Sequence, residues 1–146
     1  MSTTPSLNGQ IIGRAHHATR ALLERLLAPA GLTFHQSLAL NATADQGGSA
    51  DREQLVARLT GALKVDPPVV LAALAGLTTA GLLAESPDGP GRLALTERGR
   101  ARQEEVRAAV AGLTARLYGG LPAEDLAVAA RVLAVVTERA DAEAAG

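Results

Sequence analysis

The chain has 146 residues, of which 47% are hydrophobic but only 1% aromatic, with no cysteine and a formal net charge of −1. That length suits one domain with room for a core, and the charge excludes a global field that would draw the chain to nucleic acid. The lack of Cys excludes disulfides, thiol nucleophiles and thiolate metal sites.

The opening stretch MSTTPSLNGQ lacks the basic and then apolar regions of a secretory signal, so a cytoplasmic protein is expected. Phe34 and Tyr118 are the only aromatic residues, and a core built from Leu, Val and Ala favours helices. Asn8 to Ala28 reads as an amphipathic helix ended by Pro29 and Gly31, with Ile11, Ile12, Ala15, Leu22, Leu23 and Leu26 on one arc. A second helix starts at Thr33, where TFHQ has the spacing of a capping box with Gln36, and runs to about Ala44. DQGGS is then a loop. A third helix over about 50–63 places Leu55, Leu59 and, at its end, Leu63 on one side.

Asp66 caps a fourth helix, with Pro67 at the first position, where a missing N–H costs nothing. Leu82 to Glu85 and Arg92 to Thr96 are short alternating runs joined by SPDGPG, a hairpin with a turn-rich tip. Thr96 caps a long helix stopped by Gly119 and Gly120. Pro122, with Glu124 and Asp125, starts the last helix, and the tail DAEAAG is expected to fray. Pro67 to Ala84 is free of charge for 18 residues, the lower limit for a membrane span. Its two Pro, two Gly and five Ala, and its charged flanking helices, argue against one, and no membrane partner is expected.

Three helices, a hairpin and a long helix make a winged helix-turn-helix, with further helices at both ends. At this level the chain resembles the MarR family of bacterial regulators. The resemblance rests on LT at 32 and 33 followed by Gln36, QLVARL at 54–59, LTTAGLL at 77–83, LALTERGR at 93–100, and GGLPAEDLAVAARVL after them. Together these motifs cover about residues 10–140. The resemblance implies a mainly α fold in one domain over 1–146. Its winged-helix lobe would span about 32–100, and its dimerisation helices about 8–29 and 101–143. It also implies an intertwined homodimer, double-stranded DNA bound by the fourth helix and the wing, and a small-molecule pocket between lobe and dimerisation helices.

The chain departs from the family in the fourth helix. No Lys, Arg, Asn or Gln occurs from Val65 to Gly91, although those residues supply phosphate contacts and base readout. The family pattern sets polar or basic residues where this chain has Pro67, Ala72, Gly76 and Ala80. On a helix Val70, Ala73, Leu74 and Leu77 face inward and Pro68, Ala72, Ala75 and Thr79 outward. TGALKV, before Asp66, is also about four residues longer than the family's turn, which suits a longer third helix.

The remaining candidates for DNA are Arg92 at the wing, Arg98 behind it, and Lys64 and Arg52 on or beside the third helix; Arg58, Arg100 and Arg102 are nearby. Acidic Glu85, Asp88, Glu97, Glu104 and Glu105 are interleaved, so a solvated charged surface is the alternative. All three His lie where the resemblance bounds the ligand pocket. His16, Arg20 and His35 could hold an acidic or phenolic ligand, whereas His17 falls on the polar side. Nothing calls for a cofactor or metal, and no catalytic triad, phosphate loop or carboxylate pair stands out.

Three functions follow as expectations. The first is a homodimeric, small-molecule-responsive DNA-binding regulator. The second is a descendant that has lost sequence-specific DNA binding and uses its pocket to bind or transform a ligand. The third is an interaction module that docks through the uncharged fourth helix.

Overall fold

The computed structural model describes residues 6–146, so the first five residues of MSTTPSLNGQ lie outside the described residues. The elements in order are α1 (Gly9–Leu27), α2 (Phe34–Asp45), β1 (Ser49–Asp51), α3 (Arg52–Leu63), α4 (Pro67–Thr79), β2 (Leu83–Glu85), β3 (Arg92–Leu95), α5 (Glu97–Tyr118) and α6 (Ala123–Ala145), with a 3-10 turn at Ala28–Ala30. The fold is mainly α with a winged helix, as the sequence indicates. The chain divides into two compact units, one reaching Val110 and the other Ala111–Gly146.

In the first unit, side chains written into the sequence start the helices. Asn8 Oδ1 accepts the Ile11 N–H at 2.9 Å and opens α1. Thr33 and Gln36 form the expected capping box, each side chain bonding the other's backbone N–H. Asp51 caps α3 by accepting from Gln54 N at 3.0 Å. The core lies between these helices and the sheet: Leu27, Leu40, Leu74, Leu77 and Leu83 are all under 2% exposed, each contributing about 1.5–3 kcal/mol. In α4, Val70, Ala73, Leu74 and Leu77 are buried, whereas Pro68, Ala72, Ala75 and Thr79 are exposed, matching the face assignment above.

Three local expectations are corrected. DQGGS does not lead directly into a helix at Ala50. Instead, Ser49–Asp51 forms β1, which pairs antiparallel with β3 (Ser49 with Ala94, Asp51 with Arg92), and β3 pairs in turn with β2. Gly47 and Gly48, at φ 82° and 95°, turn the chain into that strand. Asp66 holds the N-cap position of α4, but its side chain makes no capping bond. Pro68 removes one of the N–H groups such a cap could reach, and the Val69 N–H goes to the Asp66 carbonyl at 3.0 Å. The C-terminal tail stays helical to Ala145.

α3 runs to Leu63 and so absorbs the extra turn in TGALKV; Lys64 then reverses the chain in a left-handed conformation, φ 57°. No helix among the described residues is long and apolar enough to cross a membrane. In the second unit, α6 buries none of its residues, and Val128, Val132, Leu133, Val135 and Val136 are all exposed.

Candidate functional site

The hairpin β2–β3 is the wing. Leu83 faces Leu95 and Glu85 faces Leu93, and the Ser86 N–H closes the ladder on the Arg92 carbonyl at 2.8 Å. Its root is fastened to the start of α3, because the Arg52 N–H donates to the Gly91 carbonyl at 2.8 Å while Arg92 stands opposite Asp51. The structure thereby brings Arg52 and Arg92 to one junction. Lys64 lies at the other end of the same 12-residue helix, about 18 Å away at 1.5 Å per residue, and its Nζ donates to the Gly61 carbonyl at 2.7 Å. Arg98, exposed in the first turn of α5, lies by the α4–β2 turn, its Nη1 3.5 Å from where a Gly81 Cβ would stand. The four basic candidates therefore spread across one lobe rather than forming a single patch.

Two depressions flank α3. One, of about 280 Å³, is lined by Gln46, Ser49, Ala50, Asp51, Gln54, Leu55, Arg58 and Arg92. The sequence reading passed over Gln46, Ser49 and Gln54, because β1, which lines this cleft, is only three residues long and too short to stand out in the hydrophobic pattern. The other, of about 710 Å³, is a mainly apolar groove between α3 and α4 that includes Val56, Ala57, Pro67 and Leu71, with Arg52 and Glu53 at its edge. The displayed face of α4 adds no positive charge. Pro67 and Pro68 also remove two of the backbone N–H groups with which a helix start holds phosphate.

The histidines gather elsewhere in the same unit. Phe34, at the start of α2, is the hub: the Arg20 guanidinium lies over its ring at 4.2 Å, and its centroid is 5.6 Å from the ring of His35 and 6.5 Å from that of His16. His16 also meets His17 edge-on at 5.4 Å. Arg20 is further held by Glu24, Nε to Oε1 at 2.9 Å. His16, Arg20 and His35 thus share one apolar contact, which the sequence reading did not assign to Phe34. The depressions beside α3 are lined by other residues. Among the described residues, no group of His, Asp and Glu could hold a metal ion.

A helix-turn-helix with a hairpin wing tied to its third helix, preceded in the chain by a long helix and followed by two more, defines a winged-helix protein. No protein-family model matches the chain, and no curated protein matches it. Among solved structures, the Mycobacterium tuberculosis MarR family protein Rv2887 in complex with DNA is 26% identical, covering 90% of this chain and 98% of that one at a TM-score of 0.68. The same protein in complex with salicylic acid is 26% identical over 90% of this chain and 99% of that one, with a TM-score of 0.65. CouR from Rhodococcus jostii RHA1, bound to p-coumaroyl-CoA, shares the fold at 19% identity, covering 88% of this chain and 90% of that one with a TM-score of 0.75.

Proposed function

We propose that the chain is a homodimeric transcription regulator that binds double-stranded DNA through its wing and flanking arginines and responds to a small aromatic acid or phenol. The observation that carries this reading is the likeness, over 90% of the chain at 26% identity, to a MarR family protein solved both with DNA and with salicylic acid. Arg92, Arg52, Arg98 and Lys64 supply phosphate contacts, which position a protein on a duplex without reading its sequence. With α4 uncharged, direct base readout is poor and shape carries more of the preference. His16, Arg20 and His35 around Phe34 supply the ligand site, where an acidic ligand competes with Glu24 for Arg20.

The exposed, uncharged face of α4 favours a second reading, in which the lineage has stopped reading DNA and keeps the ligand site for binding or catalysis. One experiment separates the two. The protein is titrated against a duplex from upstream of its own gene and an unrelated duplex, at about 50 and 200 mM salt, with and without salicylate. The regulator binds its own fragment preferentially, loses affinity as salt rises, and is released by salicylate at a lower concentration in the parent than in His35→Ala. No binding of either duplex at low salt overturns the regulator and leaves the second reading.

A further inference from the structure

The cleft at the root of the wing has hydrogen-bonding capacity that nothing in the fold uses. Ser49 lines the cleft, but its Oγ is buried beneath that surface without a hydrogen-bond partner, so the usable groups are those of the longer side chains around it. Among the described residues the Arg92 guanidinium makes no ion pair or hydrogen bond, and Arg58 reaches only Asp45 Oδ2, at 4.0 Å. The side-chain amides of Gln46 and Gln54 are likewise uncommitted among the described residues. Two carboxylates stand by this set: Asp45, against Arg58, and Asp51, which lines the cleft and whose Oδ1 already accepts the Gln54 N–H at 3.0 Å.

Two guanidiniums and two side-chain amides lining one space call for a group with several acceptor oxygens and negative charge. A cation is repelled by the arginines, and a neutral ligand leaves Arg92 uncompensated. We propose that the wing-root cleft is a binding site for a compact oxyanion, a carboxylate or a phosphate, gripped by Arg58 and Arg92 and hydrogen-bonded by Gln46 and Gln54. Its volume of about 280 Å³ sits at the lower edge of ligand pockets, roughly 300–1,000 Å³, and suits a single-ring acid or a phosphate. The oxyanion comes either from a free small molecule or from the backbone of a bound duplex. Only the second source rests on the regulator reading above. A free oxyanion occupies two of the lobe's cations, one on α3 and one on the wing, so it competes with a duplex laid across them.

The test uses the full chain without DNA, titrated separately with inorganic phosphate and with benzoate while the backbone amide NMR signals of Ser49, Gln54 and Arg92 are followed. The expected result is saturable binding at millimolar concentration or below. It weakens at least tenfold in Arg58→Gln and in Arg92→Gln, is unchanged in Arg116→Gln, and is reversed by added duplex. Circular dichroism confirms that these surface variants stay folded. If neither probe binds, the same variants are measured against duplex DNA. A tenfold loss in each, with the salt dependence shallower by about one ion, assigns the cleft to a backbone phosphate. Probe binding indifferent to both substitutions overturns the site, as does absent probe binding with duplex affinity that is unchanged in both variants or missing altogether. Missing duplex affinity beside Arg-dependent probe binding overturns the regulator alone and leaves this site standing.

Discussion

Gly99 is a helical residue whose missing side chain is needed. The first turn of α5 packs on the Leu82 carbonyl, which accepts the Thr96 N–H at 3.2 Å, and a Cβ on Gly99 would run into that oxygen. Thr96 locks the same corner, its Oγ1 accepting the Gly99 N–H at 2.9 Å and donating to the Gly81 carbonyl at 2.6 Å. Gly99→Ala must therefore push α5 away from the wing, at a cost of about 1–3 kcal/mol. The ordinary sign of this substitution in a helix is a gain of roughly 0.5–1 kcal/mol. Gly61, inside α3 with nothing within 4 Å of its notional Cβ, should show that gain. Urea unfolding of both variants at one protein concentration checks the contrast, and a Gly99→Ala protein as stable as the parent would mean that the corner yields freely. Thr96 was legible in the sequence because capping is local. The reason for Gly99 was not, because the oxygen it avoids arrives from 17 residues back through the hairpin.

At the scale of elements, α4 separates what patterning reveals from what it hides. Its buried and exposed faces follow from the 3.6-residue period, and the extra length of α3 follows from counting residues. β1 is invisible to the same method: Ser49–Asp51 alternates, with Ala50 buried between two half-buried neighbours, but three residues are too short a run to stand out, and the strand is held by the backbone of β3. The wing-root cleft is hidden with it, since Ser49 and Asp51 line a site only once that strand is in place. The displayed face of α4 gives the second prediction. Ala75 is exposed and opposite the buried stripe, so Ala75→Arg should alter stability by no more than about 0.5 kcal/mol. If this helix approaches a duplex, the new cation meets a phosphate. Affinity for unrelated and related DNA then rises together, and the salt dependence steepens by about 0.9 per contact. A titration of parent and variant at several salt concentrations measures this. Unchanged affinity at low salt would mean that α4 does not face the duplex.

For the whole molecule, the question is what covers the apolar surface that each unit leaves in solvent. Ile11 and Leu22 of α1 are exposed in the first unit. In the second, Val128, Val132, Val135 and Val136 recur along α6 at helical spacing and stand 38–46% exposed. A helix that buries nothing of its own chain yet carries a valine seam is stable when a second apolar surface meets it. The dimer proposed above supplies that surface, and a two-fold interface brings every seam residue into the contact twice. Val132→Asp then places two unpaired carboxylates in one apolar interface, each costing on the order of several kcal/mol to bury. The same change in an isolated chain costs little, because the position is already open to water. Sedimentation equilibrium should give the parent a mass near twice 14.9 kDa and shift Val132→Asp toward the single-chain mass at micromolar concentration, with α-helical circular dichroism retained below saturation of the dimer. A parent that sediments as a single chain, or a variant that stays fully dimeric, would remove the self-complementary interface. A pseudo-palindromic operator would go with it, because its two half-sites mirror the two-fold axis of the protein that reads them.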